Sequence, residues 1–324
     1  MAEIYVPEPI HPSVLEDMER RHVVHRGFGP QAVPYESVAE RIEAVMPRSE
    51  PFRADRIAAS PVLRVIARHG VGVDTVDVDA ATAAGVQVTY VPAGNTNAVA
   101  EHVFALGLAL RRHIATAHRE VSDTGWPREK SHLVGEELSG ATLGIIGYGN
   151  IGRRVAAIAS AFGMRVLVSD PYLPAEGAEG DARTVGLDTL LLESQLISMH
   201  VPLTDSTRNL IGAEELERMR TDAVLVNTSR AGLVDERALV EALDAGTIAG
   251  AALDVLAAES ASGPVEVGGR PPAEVPHLLV TPHIAGQTAQ SLAAVGATAL
   301  SDIEAVLAGR TPAHPVNEPT TPEA

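Results

Sequence analysis

The chain contains no cysteine, which removes disulfides, thiolate nucleophiles and cysteine-ligated metals together. It is also short of positive charge: 25 Lys and Arg stand against 42 Asp and Glu, a formal net charge of −17. That balance argues against a general nucleic-acid or anionic-membrane surface. Any anionic small molecule must then be gripped by individually placed arginines. No apolar run approaches the roughly 18 residues of a membrane span. The opening residues, MAEIYVPEPIHP, carry acids and prolines where a secretory leader needs a basic start and an apolar core. The expectation is a soluble, cytoplasmic, globular protein with no metal, no nucleic acid and no membrane among its partners.

What is present is more specific. A length of 324 residues implies about two domains, each able to bury its own core. Residues 141–170, ATLGIIGYGNIGRRVAAIASAFGMRVLVSD, organise the rest. An apolar run over 142–146 reads as a buried strand and leads into Gly147-x-Gly149-x-x-Gly152. A helix from 151 to about 162 and a second strand over 165–169 follow, ending on Asp170. In such a βαβ unit Gly147 makes the tight turn, Gly149 admits a pyrophosphate, and Gly152 lets helix and strand pack closely. The helix start at Asn150 and Ile151 offers free N–H groups and a positive dipole end. Asp170 lies close to the roughly 20-residue spacing expected of the acid that binds the ribose hydroxyls. A dinucleotide site is expected here.

Upstream, strands over 4–6, 23–25, 44–46 and 63–67 alternate with helices over 13–21, 35–44 and 54–59, which predicts a small parallel α/β domain. Its last strand runs into Arg68-His69-Gly70-Val71-Gly72-Val73-Asp74, a glycine-rich turn at the edge where open α/β sheets bind ligands. Asn97 reads as the N-cap of a single long helix from 98 to 121, apolar on more than one face and so buried or packed on a partner chain. A polar loop over 122–138 contains Trp126-Pro127-Arg128. Downstream, strands over 196–199, 223–226, 249–253 and 278–280 stop at His200, Asn227, Asp254 and Thr281. A doubly wound sheet with one functional edge requires that pattern. A surface loop over 257–276, a last helix over 288–308 and a disordered Pro-rich tail complete the expectation.

A nicotinamide cofactor leaves the protein to supply orientation, charge and a proton. Reducing a ketone needs a general acid at the carbonyl oxygen, and histidine suits that task near neutral pH. Most of the 12 histidines read as solvated or core residues, His113 and His118 among them. His283 differs, because it follows an apolar strand at the functional edge. Arg230 ends its own strand in the same way and could grip a carboxylate through a bidentate fork. A carboxylate behind His283 would hold its tautomer and favour the imidazolium. Spacing alone leaves Glu259 and Glu266 both open for it.

The segments RHGVGVDTVD, NAVAEHVFALGLAL, GYGNIGRRVA, SDPY, HVPLTDSTRNLI, VNTSRAGLVDERALVEAL, AGAALDV and PHIAG together resemble the D-isomer-specific 2-hydroxyacid dehydrogenase family, from the first strand to the last helix. The resemblance implies two Rossmann-like or flavodoxin-like doubly wound parallel-sheet α/β domains with the active site in the cleft between them. Residues 1–97 plus 288–324 would bind substrate, and residues 98–287 would bind NAD. It implies His283 as acid–base, Glu259 as its partner and Arg230 as the substrate-orienting residue. Cofactor contacts would come from Gly147, Gly149, Asn150, Ile151, Gly152, Asp170, Val201, Thr207, Thr228, Asp254, His283 and Gly286. The main chain of Val71 and Gly72 would hold the substrate carboxylate, with Arg48 and Arg128 nearby. The implied partners are a small anionic 2-oxo or 2-hydroxy acid and a second copy of the chain in a homodimer. Where the family often has Phe-x-x-Glu-Pro, this chain has Leu256-Ala257-Ala258-Glu259-Ser260 and then a long insertion. The further regulatory domain of the larger phosphoglycerate dehydrogenases is not expected. Two other functions fit the same residues: a formate- or phosphite-type dehydrogenase, in which formate-specific members carry Gln at the Glu259 position, and a non-catalytic NAD(H)-sensing binding protein.

Overall fold

Short apolar runs whose successive side chains point to opposite faces build two separate parallel sheets in the computed structural model, which describes residues 1–174, 178, 180–259 and 263–319. Contacts divide the chain into one unit of Met1–Asn95 with the stretch from Gln287 onward, and a second unit of Thr96–Gly286.

The first unit contains β1 (Glu3–Val6), α1 (Pro12–Arg21), β2 (Val23–Arg26), β3 (Ala44–Val45), α2 (Ala54–Ala58), β4 (Val65–Ala67), α3 (Val78–Ala83) and β5 (Gln87–Thr89). Its five strands are all parallel, in the order β2-β1-β3-β4-β5. The two-residue side-chain period divides its core between the faces. Ile4, Val6, Val65 and Ala67 pack in one cluster, while Tyr5, Val45, Ile66 and Val88 pack in the other.

The second unit contains α4 (Thr96–Arg111), α5 (Ile114–Thr124), β6 (Thr142–Ile146), α6 (Asn150–Ala161), β7 (Arg165–Ser169), β8 (Arg183–Thr184), α7 (Leu187–Glu193), β9 (Leu196–Met199), α8 (Ala213–Arg218), β10 (Val224–Asn227), α9 (Glu236–Asp244), β11 (Gly250–Leu253) and β12 (Leu278–Val280). Seven parallel strands run β12-β11-β10-β9-β6-β7-β8. The order reverses between β6 and β9, where ligands bind in open α/β sheets. Ile146 pairs with Met199 in register, so Gly147 and His200 leave the sheet side by side. Helix α10 (Ala289–Leu307) returns the chain to the first unit, where Val295, Ala299 and Ile303 enter its core. No helix among the described residues is long and apolar enough to cross a membrane.

Five expectations are corrected. The strand over 63–67 is not the last of the first unit: α3 and β5 follow it, and β5, only three residues long, pairs with β4 in parallel. Residues 35–44 do not form an α-helix but two 3₁₀ turns, Tyr35–Ser37 and Ala39–Arg41, joined through Val38. The apolar spacing that suggested a helix is met by the burial of Tyr35, Val38, Ala39 and Ile42. The edge-on contacts of Tyr35 with Tyr5 and Phe52 anchor that arrangement. Asn97 is not an N-cap, because α4 already starts at Thr96. The long helix is two helices, broken where His113 adopts a left-handed φ of 52°; its N–H reaches back to Leu110 O and stops the α-helical ladder. The tail is ordered over 313–317. Buried Asp302 accepts from Ala313 N at 2.8 Å and from His314 Nδ1 at 3.1 Å. Residues 260–262 of the expected surface loop and 320–324 of the tail lie outside the described residues.

Asn317 closes the exposed edge of β5. Its Oδ1 accepts from Val88 N at 2.7 Å and from Gln87 Nε2 at 2.9 Å, while Nδ2 donates to Thr82 Oγ1 and Val86 O. Asn317→Ala leaves the Val88 N–H without its acceptor, and should lower the stability of the first unit by about 1–3 kcal/mol. The denaturation midpoint should fall at unchanged slope; an unchanged midpoint would show that this segment contributes no stability.

Candidate active site

The glycine turn is built from the sheet outward. Gly147 has φ +93°, and a Cβ there would lie 2.7 Å from His200 O and from Val201 Cγ1, so the switch-point register itself demands glycine. A Cβ on Gly152 would lie 2.2 Å from Gly147 O, so the first turn of α6 rests directly on the turn. Gly149 is the N-cap of α6 and offers no side-chain cap. No described protein atom lies within 4 Å of where its Cβ would be. The helix N-terminus therefore keeps main-chain donors and open space for an anion. At the end of β7, Asp170 accepts from Tyr148 N at 2.8 Å and Tyr172 N at 2.9 Å, holding the turn and its own carboxylate in place. These residues fit a dinucleotide: the phosphates at α6, the ribose at Asp170.

At the other strand ends the structure gathers side chains that are far apart in the chain. His200 follows β9 with Nε2 2.8 Å from Ser198 Oγ, and burial pushes its pKa down to about 3, so it adds no charge beside the turn. Thr207 spends its hydroxyl within its own loop, donating to Pro202 O and accepting from Thr204 N. Thr228 Oγ1 is buried with no partner among the described residues. Asn227, fully buried, clasps the loop after β10: its Nδ2 donates to Arg230 O and its Oδ1 accepts from Ser229 N. Arg230 donates to Ser229 O at 2.7 Å and is half-buried.

His283 and Asp254 form the centre. Asp254 follows β11, is 1% exposed, and its main-chain O accepts from His283 N at 2.8 Å. Its carboxylate accepts from Ile284 N at 2.9 Å and Ala285 N at 2.8 Å, and also from Thr281 Oγ1. One residue thus collects three consecutive main-chain N–H groups. The left-handed φ of 52° at His283, costly for a non-glycine residue, makes those three donors converge. Burial alone would raise the Asp254 carboxyl, but the nearby His102 imidazole and the hydrogen bonds from Thr281, Ala285 and Ile284 outweigh it and hold the group below the ordinary aspartate value. Of the two carboxylates that spacing left open, Glu259 is the one His283 touches, with Nδ1 to Oε2 at 2.9 Å; Glu266 lies exposed farther along the loop. Glu259 is itself fixed by Leu256 N, which donates to Oε1 at 2.9 Å. Desolvation pushes its carboxyl up, and the bond and charge of His283 bring it below the ordinary glutamate value.

Not every expected residue joins this cluster. Arg128 is exposed in the loop after α5, and no contact among the described residues links it to His283. Gly286 is the last residue of the second unit. Val71, Gly72 and Arg48 belong to the first unit. There the main-chain N–H groups of Val71 and Gly72 donate to no described residue, which suits an incoming carboxylate. Arg48 donates from Nη1 to Pro9 O at 3.2 Å, and its main-chain N to Glu8 Oε2 at 2.9 Å. His69 beside them is buried; desolvation, helped by the charges of Arg48 and Arg68, lowers its pKa to about 4. Asn227, Thr281 and His102 were not assigned site roles from the chain alone. The two strand-end residues carried a signal, a polar residue closing an apolar run. His102, one polar position on an apolar helix, carried none.

Comparison with known proteins gives a consistent pattern. The family described as D-isomer specific 2-hydroxyacid dehydrogenase, NAD binding domain, matches residues 104–285. D-3-phosphoglycerate dehydrogenase of Synechocystis sp. is 36% identical over 321 residues, covering 98% of this chain but 56% of that relative. The chain therefore spans little more than half the length of that relative. Glycerate dehydrogenase of Methylorubrum extorquens is 39% identical over 282 residues, 85% of this chain and 87% of the relative. The crystal structure of D-lactate dehydrogenase from Aquifex aeolicus, complexed with NAD and lactic acid, superposes with a TM-score of 0.85 at 28% identity, covering 98% of this chain and 100% of that one.

The Asp254 carboxylate supplies a pH-dependent test. Asn at 254 has one acceptor oxygen for three donors, so Asp254→Asn should cost roughly 1–3 kcal/mol of stability at neutral pH. Because the folded pKa is depressed, the stabilisation by Asp254 is present above the unfolded aspartate value of about 4 and is lost as pH falls through the lower folded value. The stability gap between wild type and variant, from denaturant titrations, should close on acidification below that range. A gap that stays constant with pH would contradict the assigned ionisation.

Proposed function

Since this chain belongs to the D-isomer-specific 2-hydroxyacid dehydrogenase family, we propose that it transfers a hydride between NAD(H) and C2 of a small 2-oxo or 2-hydroxy acid of the D series. The contact between His283 Nδ1 and Glu259 Oε2 carries this proposal. With Nδ1 committed to the Glu259 carboxylate, which fixes the orientation of the ring, the ring gives its other proton, at Nε2, to the carbonyl oxygen during reduction and takes it back during oxidation. Arg230 orients the substrate carboxylate, and its planar fork matters as well as its charge. In the first unit, the main-chain N–H groups of Val71 and Gly72, which donate to no described residue, offer donors for a carboxylate beside Arg48. Gly147, Gly149, Asn150, Ile151 and Gly152 hold the pyrophosphate, and Asp170 the adenine ribose. Val201, Thr207, Thr228, Asp254 and Gly286 complete the cofactor contacts.

A two-fold homodimer belongs to the same proposal. The buried side chains of α4 are used within the second unit. Helix α5 is amphipathic yet buries none of its residues. It leaves Ile114 57% and Val121 41% exposed, seven residues apart and so on one face of the helix. This apolar surface supports pairing of two copies through α5.

Purified protein should oxidise NADH with at least one of a panel of 2-oxo acids, and His283→Ala should lose ~10²–10⁴ of turnover while still binding NADH. NADH binding without turnover on any 2-oxo acid would favour a sensing protein, and turnover on formate or phosphite alone would favour the other dehydrogenases. Light scattering should give a dimer mass in dilute solution that Ile114→Asp with Val121→Asp reduces to a monomer; a monomeric wild type would reject the pairing.

A further inference from the structure

His102 has no part in the chemistry described so far. It lies on α4 with its side chain 19% exposed, Nε2 3.6 Å from Asp254 Oδ1 and 3.2 Å from Thr281 Oγ1. Thr281 Oγ1 in turn donates to Asp254 Oδ1. A hydroxyl carries one proton and two acceptor lone pairs. With that proton directed to Asp254, Oγ1 can only accept from the imidazole, so Nε2 of His102 carries a proton. Donors therefore run in one direction, from His102 through Thr281 to Asp254. The chain ends on the residue that gathers the N–H groups of His283, Ile284 and Ala285.

We propose that His102 is a positioning residue for His283: it orients the Thr281 hydroxyl so that Asp254 keeps its side-chain donor and the 283–285 turn keeps its single conformation. Without His102, Oγ1 loses its donor and the hydroxyl is free to rotate off Asp254. The carboxylate then holds the strained turn by two main-chain N–H groups alone. Imidazole suits this task because its flat ring places a donor at the far end of a side chain with only two rotatable bonds. The link also ties the first helix of the second unit to the segment just before that unit ends at Gly286. The inference rests on His283 as the acid–base group of the proposed reaction.

The test compares His102→Leu, His102→Gln, Thr281→Val and the double variant His102→Leu/Thr281→Val in the full chain. Gln places an amide N–H close to the position of imidazole Nε2, whereas Leu fills the space without a donor. His102→Leu and Thr281→Val should each lower kcat for 2-oxo acid reduction about three- to tenfold, the size of one neutral hydrogen bond, with a smaller change in KM for NADH. His102→Gln should keep kcat within about twofold. Because both substitutions cut one link, the double variant should be no slower than the slower single one. Amide exchange at Ile284 and Ala285, read by mass spectrometry, should accelerate in the Leu and Val variants and stay at the wild-type rate in His102→Gln. The proposal is overturned if His102→Leu keeps wild-type kcat and exchange, if His102→Gln is as impaired as His102→Leu, or if the two substitutions act additively. Should the wild type reduce no 2-oxo acid, the dehydrogenase assignment fails, and the exchange rates alone then decide the positioning role: acceleration in the Leu and Val variants upholds it, and no change overturns it.

Discussion

The acceptance of three successive main-chain N–H groups by Asp254 is the interaction on which the site geometry depends. A histidine with positive φ is unfavourable by itself, and a buried carboxylate is unfavourable by itself. Here each removes the cost of the other. The left-handed turn at His283 makes the three donors converge, and the convergent donors keep Asp254 ionised despite its burial. The imidazole of His283 then meets Glu259 at hydrogen-bond distance. Glu259 is in turn held by Leu256 N, three residues before it. The His283–Glu259 contact is thus fixed by backbone geometry more than by side-chain packing, as a site on the strand ends of a rigid sheet requires.

The second unit supports this in a simple physical way. In a parallel sheet every strand delivers its next residue to the same edge. Gly147, Asp170, His200, Asn227, Asp254 and Thr281 all follow or close strands on that edge. The reversal of strand order between β6 and β9 then separates the crossovers. The space above Gly149 is left open, while Gly147 and Gly152 are packed too tightly for any side chain. The glycine turn and the histidine turn are two consequences of one sheet topology.

Most of this was legible in the chain. The βαβ pattern over 141–170 located β6, α6 and β7 with their glycines. The rule that apolar runs end in polar residues found the four strands beyond them, because strand burial and strand length impose a strong period on few residues. The misjudged elements are those where local pattern and tertiary demand diverge. Tyr35, Val38, Ala39 and Ile42 have helical spacing, yet they are buried by two 3₁₀ turns that let the chain enter β3. The run from 98 to 121 is continuously helix-forming, yet it breaks at His113. The tail looked too rich in proline to be ordered, and Asn317 and Asp302 tie it to β5 and α10 through partners more than ten residues away.

By itself the sequence determined the fold class, the cofactor turn, the family, and the short set of residues able to handle a proton and a carboxylate. Those follow from periodicity, glycine placement and side-chain chemistry, all of which are local. The resemblance named Glu259 as the partner of His283 where spacing did not; only the tertiary structure brings the two within hydrogen-bond distance, gathers three backbone donors on Asp254, and sets His102 at the head of a donor chain reaching it. Hydrogen bonds of that kind join residues 24 to 179 positions apart. Their distances and directions exist only after the sheet has brought the strand ends together.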